Sequence, residues 1–162
     1  MNTTFEPSSS KSRVLIIDNN RQFTRRARLL LQHTGHYVAC EENDARRALE
    51  TARSFKPDLV LLDLIMPQVD GPEVATELES DWMLHGVPIV FLTALITREE
   101  ASDGRRIEGH RIVAKPVSGS ELIRIVEENL PVVLPLEEQE RFLQQYHIVY
   151  FQTPIDQRRA RK

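Results

Sequence analysis

The chain has 162 residues, 41% of them hydrophobic and 28% charged, with a formal net charge of -3 at pH 7. That length suits one domain plus extensions, and the composition supports a core and excludes wholesale disorder. The small negative charge excludes a bulk electrostatic drive toward nucleic acid or an anionic membrane.

Residues 1–12 are rich in Ser and Thr and hold little that could be buried, so a flexible leader is expected there. Val14-Leu15-Ile16-Ile17 is apolar on both faces and stops abruptly at Asp18-Asn19-Asn20, the pattern of a buried parallel strand. From Arg21 the period changes. Phe23, Ala27, Leu30 and Leu31 fall at helical spacing among Arg25, Arg26 and Arg28, and Gly35 offers a C-cap. Tyr37-Val38-Ala39-Cys40 reads as a short strand, and Asn43 or Asp44 can cap a helix carrying Ala45, Ala48, Leu49 and Ala52. Pro57-Asp58 breaks that helix. Leu59-Val60-Leu61-Leu62 is a second apolar strand ending on an acid, Asp63.

The cycle repeats. Met66-Pro67 and Asp70-Gly71 form a loop, and Pro72 opens a helix carrying Val74, Ala75 and Leu78. Pro88-Ile89-Val90-Phe91-Leu92 is a strand ending at Thr93. The polar, Gly-containing stretch 97–109 reads as a short or frayed helix and a loop. Ile112-Val113-Ala114 is a strand ending at Lys115-Pro116, and Ser118 or Ser120 starts a last helix carrying Leu122, Ile123, Val126 and Leu130. Five strands alternating with about five helices imply an α/β fold: a five-stranded parallel sheet with helices on both faces.

Ligands of such sheets bind at the carboxyl ends of the strands, where strand order reverses. That rule gathers Asp18, Asn19, Asp63, Thr93 and Lys115 into one pocket. Two acids and an amide offer hard oxygen ligands of the kind Mg²⁺ favours, with waters and a phosphate completing the shell. Lys115 can pair with carboxylate or phosphate oxygens, and the Thr93 hydroxyl can donate to a phosphoryl oxygen. Asp63 can act as a nucleophile that forms an acyl-phosphate.

Asp63-Leu64-Ile65-Met66-Pro67-Gln68-Val69-Asp70-Gly71 resembles the phosphorylation loop of two-component response-regulator receiver domains. Val14 to Asp18 resembles the first strand of that family, Phe91-Leu92-Thr93-Ala94 its fourth strand and switch hydroxyl, and Ala114-Lys115-Pro116 its lysine–proline pair. The match runs in order from about Arg13 to Leu130, so it is far more specific than one short motif. The resemblance implies a flavodoxin-like doubly wound sheet of order 2-1-3-4-5, with a receiver domain at 13–130 and a C-terminal extension at 131–162. It implies phosphorylation of Asp63 by a sensor histidine kinase or histidine phosphotransfer protein. Mg²⁺ would be held by Asp18, Asn19, Asp63 and the Ile65 carbonyl, and Thr93 and Lys115 would contact the phosphoryl group. The result would be altered binding of a downstream protein target, without enzymatic output.

Three departures from the family pattern stand out. Asn19 occupies a position where a second acid is usual, which predicts weaker Mg²⁺ binding. Ile112 stands where many members carry a switching aromatic residue. Ile65, two residues after Asp63, is apolar where the family often orients the hydrolytic water, which predicts slow self-dephosphorylation. The competing expectation is a degenerate receiver, a protein-interaction module that works without phosphate. A haloacid-dehalogenase-type enzyme would want an acid at Ile65, and a dinucleotide enzyme would want glycines after the first strand.

Other features read more plainly. Cys40, the single cysteine, excludes an intrachain disulfide and is expected to be a buried strand residue. His33, His36, His85, His110 and His147 lack metal-ligand spacing, and Trp82 is expected to pack near a helix end. No signal-peptide pattern and no apolar run of roughly 20 residues is present, so a soluble, cytoplasmic protein without membrane attachment or nucleic-acid binding is expected. In 131–162, a possible helix around Leu136, Phe142, Leu143 and Tyr146 and a basic end suggest dimerisation or partner docking.

Overall fold

The computed structural model describes residues 11–102 and 106–130. The leader, apart from Lys11 and Ser12, and the whole of 131–162 lie outside the described residues. Within them, strands and helices alternate: β1 (Ser12–Ile17), α1 (Arg21–His33), β2 (Tyr37–Glu42), α2 (Ala48–Phe55), β3 (Leu59–Asp63), α3 (Gly71–Ser80), β4 (Ile89–Thr93), α4 (Arg98–Ser102), β5 (Arg106–Ile107), β6 (His110–Ala114) and α5 (Gly119–Asn129). No helix among the described residues is long and apolar enough to cross a membrane.

The sheet runs β2-β1-β3-β4-β6-β5. All pairings are parallel except β5 with β6. The five parallel strands stand in the expected order 2-1-3-4-5, and the only difference among the described residues is at the edge, where a short antiparallel strand occupies part of the expected loop. The added strand β5 turns into β6 through Glu108 and Gly109, both at positive φ (51° and 89°). A two-residue turn with both central residues left-handed is the turn that matches strand twist, so a local hairpin forms where hydrophobic pattern alone shows nothing.

The apolar strands separate two cores. Leu15, Ile17, Val60, Leu62, Phe91 and Ile112 pack with Ala48 and Ala52 of α2 and Val74, Ala75 and Leu78 of α3. On the other face Val14, Ile16, Leu59, Leu61, Val90, Leu92 and Val113 meet Ala27 and Leu31 of α1 and Leu122, Ile125 and Val126 of α5. Strand side chains alternate between faces with period two, so covering both faces demands the unbroken apolar runs seen in the sequence.

Local chemistry sets the helix ends. Asn20 caps α1, its Oδ1 accepting the N–H groups of Gln22 and Phe23 at 3.1 Å each. The helix ends at Thr34, and Gly35 follows at φ 79°. Asp44 caps a 3₁₀ turn, Ala45–Arg47, that leads into α2. Ser118 begins α5 with a reciprocal capping box to Glu121, worth roughly 1 kcal/mol. Trp82 does follow a helix end, but it does not pack: it is 85% exposed. The turn bends there because Asp81 is pulled inward, its Oδ2 accepting from Arg53 Nη2 at 2.6 Å and its Oδ1 from the Met83 N–H at 2.9 Å. Cys40 lies half-buried on β2.

Gly71 opens α3 against the end of β3. Its N–H donates to the Leu64 carbonyl at 2.9 Å. A Cβ at this position would stand 2.4 Å from the Asp63 carbonyl oxygen and 2.8 Å from Leu64 Cα, both backbone atoms that cannot rotate away. Gly71→Ala is therefore expected to destabilise the fold by about 2 kcal/mol or more, read as a lowered urea midpoint at unchanged m-value.

Candidate functional site

The sheet's register places the polar strand ends together. Strand order reverses between β1 and β3, and Ile17 pairs with Leu62, so the next residues, Asp18 and Asp63, emerge side by side. Asp63 pairs in turn with Leu92, and Thr93 with Ala114. Lys115 follows directly, its N–H donating to the Thr93 carbonyl at 2.7 Å. Lys115-Pro116 is a cis peptide.

Asp18, Asp63 and Thr93 are buried, with Lys115 reaching in beside them. Lys115 Nζ lies 2.5 Å from Asp18 Oδ2 and 3.3 Å from Asp63 Oδ1. Coulomb attraction falls with distance, so Asp18 takes the larger share of this one cation. Asp63 is left less compensated. Its carboxyl is pushed above the usual aspartate range, first by burial and then by the charge of Asp18, while Lys115 and the Ile65 N–H pull the other way. Asp63 is thus a buried carboxylate at a strand end, crowded by a second acid and only partly balanced.

Thr93 Oγ1 accepts the Leu95 N–H at 3.1 Å, which leaves the hydroxyl proton free to donate elsewhere. Ile65 and Leu95 are large apolar side chains with 51% and 65% exposure, each two residues past a strand-end polar residue. Asn19 is exposed on the loop after β1. Asp18 and Asp63 are the acids brought together here. Among the described residues no group of three or more His, Cys, Asp or Glu converges as a metal site. His110 differs from the expected scattered surface histidines. It is mostly buried, its Nε2 lies 3.1 Å from Glu79 Oε1, and its ring meets Phe91 edge-on.

Two residues support the site in roles the sequence did not assign them; Asn43 reads from the sequence only as a candidate helix cap. Asn20 donates its backbone N–H to Asp18 Oδ1 at 2.8 Å while capping α1, so one residue fixes both the acid and the helix start. Asn43 Nδ2 donates to the Asp18 carbonyl at 2.7 Å and to Thr24 Oγ1 at 2.9 Å, tying β1, α1 and the end of β2 together. The cap was legible as an Asn directly before the first helical residue. The Asn43 bridge was not, because its partners lie 25 and 19 residues away.

Comparison with known proteins agrees with this geometry. The family model for the response regulator receiver domain matches residues 14–127. The chain is 33% identical over 125 residues to the transcriptional regulatory protein PdtaR of Mycobacterium tuberculosis, covering 77% of this chain and 60% of that protein. It is 28% identical over 117 residues to the polar-differentiation response regulator DivK of Brucella anthropi, covering 72% and 94%. It thus spans about three fifths of the length of PdtaR but aligns with nearly all of DivK. The solved chemotaxis protein CheY4 of Vibrio cholerae shares the fold at TM-score 0.65 and 23% identity, covering 75% of this chain and all of that one. The chain belongs to the response regulator receiver domain family.

Proposed function

We propose that this domain is a phosphorelay switch that accepts a phosphoryl group on Asp63 from a phosphohistidine of a sensor kinase or phosphotransfer protein. The observation that carries this reading is the shared lysine: one Lys115 ammonium lies 2.5 Å from Asp18 and 3.3 Å from Asp63 at the carboxyl ends of the strands. An Asp63 oxygen attacks phosphorus, an O–P bond forms, and the N–P bond of the donor breaks. The electron pair returns to the imidazole nitrogen. Lys115 then offers its ammonium to the new phosphoryl oxygens, and the Thr93 hydroxyl donates to another. Loss of the Lys115–Asp63 contact and gain of the Thr93 contact bias the loop after β4, which changes affinity for a downstream protein target. The domain assists its own modification and releases no product of other chemistry.

Two carboxylates held by a single cation leave a net negative charge that suits a divalent ion. Asp18, Asp63, the Asn19 amide oxygen and the Ile65 carbonyl are the residues we assign to Mg²⁺. Bound there, Mg²⁺ supplies charge neutralisation for the incoming phosphoryl group. With an amide in place of a third acid, binding is weak. That same substitution supports the second reading, a receiver that acts by protein contact alone. The two readings part on a single measurement. Incubated with Mg²⁺ and acetyl phosphate, the chain is expected to gain one phosphoryl adduct by intact mass, abolished in Asp63→Ala. No adduct, and no response to beryllofluoride, would favour the contact-only module.

Crowding of the two acids has a pH signature. The raised carboxyl of Asp63 means the folded state holds a proton that the unfolded chain releases earlier, so stability falls as pH rises from the ordinary aspartate range through the folded value. The penalty is present in full only above the folded value. Asp63→Asn removes it and is therefore expected to melt higher than the natural chain at pH 7. The gap should narrow as pH falls toward about 4, where the unfolded aspartate also takes up its proton. Thermal melts of both proteins across that range check the sign.

The exposed aliphatic side chain of Ile65 cannot orient an attacking water. Replacement by Asn or Glu is expected to shorten the phosphoryl half-life by roughly tenfold, followed as decay of the adduct after removal of the donor. An unchanged or lengthened half-life would refute this role.

A further inference from the structure

The lysine that bridges the two acids has a third neighbour. Its Nζ stands 4.8 Å from the centroid of the Phe23 ring, on the first turn of α1. Phe23 is half-buried and packs against the core shared by α1 and α5. Its place is set by a closed circuit of contacts. The Phe23 N–H donates to Asn20 Oδ1 at 3.1 Å, and the Asn20 N–H donates to Asp18 Oδ1 at 2.8 Å. Asp18 Oδ2 meets Lys115 at 2.5 Å, and Lys115 lies over the ring. The acid, the cap, the aromatic ring and the cation therefore locate one another.

Phe23 and Lys115 both line a cleft between α1 and α5, whose walls also carry Arg26, Leu30, Val117 and Leu122. A lysine side chain has four flexible carbons and would gain rotamer entropy on release. An aromatic face attracts an ammonium through its quadrupole, most strongly when desolvated. It does so without adding a third negative charge, which would repel an incoming phosphoryl group. An aliphatic side chain at this position would fill the same space and supply no such attraction.

We infer that Phe23 is a positioning residue for phosphoryl uptake, its ring face holding the Lys115 ammonium at the junction of Asp18 and Asp63. The inference rests on Asp63 being the phosphoacceptor. It concerns where the cation waits before transfer, and the ring itself touches no reacting atom.

The test uses the full chain with phenylalanine at position 23 replaced by its 4-fluoro, 3,5-difluoro and pentafluoro analogues. These keep the ring's shape and progressively remove its negative face. The initial rate of Asp63 phosphorylation by acetyl phosphate is expected to fall in step with fluorination, by about threefold at pentafluoro. A flat series overturns the proposal, because a purely packing role is indifferent to ring electronics. A second readout needs no phosphate. In metal-free protein the Lys115 Cε protons should show an upfield ring-current shift that is lost in Phe23→Leu, and identical shifts in the two proteins overturn the contact. Absence of any adduct on the unmodified chain overturns the phosphoacceptor reading and the uptake role with it, while the lysine shift still decides the positioning contact.

Discussion

The placement of one ammonium between two carboxylates governs this molecule's chemistry. Lys115 cannot satisfy Asp18 and Asp63 equally, and it sits nearer Asp18. That inequality leaves Asp63 buried, crowded and under-balanced, its carboxyl raised by burial and by its acidic neighbour. A strand-end aspartate in this condition gains from anything that brings positive charge or removes its own negative charge. Protonation and a divalent ion both act in that direction. The electrostatic tension is built by the fold, since Ile17 and Leu62 are register partners and the next residue on each strand is an acid.

The scaffold around this tension is rigid where it needs to be. Two apolar cores clamp β1, β3 and β4 from both faces, so the strand ends cannot drift apart. The Gly71 backbone lies against Asp63 and Leu64, which couples the start of α3 to the acid. The Asn20 cap and the Asn43 bridge hold Asp18 from the other side. By contrast α4 is only five residues long and follows a loop that carries an exposed Leu95.

Much of this was legible in the sequence because its signals are local. Unbroken apolar runs ending on Asp18, Asp63, Thr93 and Lys115 gave strands, a parallel sheet and a shared pocket by topology alone. The span from Asp63 to Gly71 then narrowed the chemistry. What stayed hidden was non-local or conformational. The β5–β6 hairpin depends on two left-handed residues, Glu108 and Gly109, of which only the glycine advertises that backbone. Trp82 was expected to pack because large aromatic residues usually do. It is exposed because Asp81, one residue earlier, is drawn inward by Arg53 and turns the chain. The contact between Phe23 and Lys115 joins residues far apart in the chain, and no periodicity could announce it. The first helix shows why position alone misleads. Asn19 and Asn20 are identical in type, yet the second caps the helix and steadies Asp18 while the first stays exposed on the loop.

The short hairpin that ends the sheet also bears on how copies of this domain can meet. Among the described residues, β5 is the outermost strand on that side, only two residues long and beginning with an exposed arginine. It offers too few open backbone groups to template another strand, and its charge disfavours a flat approach. The opposite margin, β2, ends in Glu41 and Glu42. Continuous sheet growth is thus discouraged at the β5 margin of the described fold, while the six-residue β2 presents the longer edge. That leaves the helices and the loops at the strand ends as the wider surfaces of the described fold.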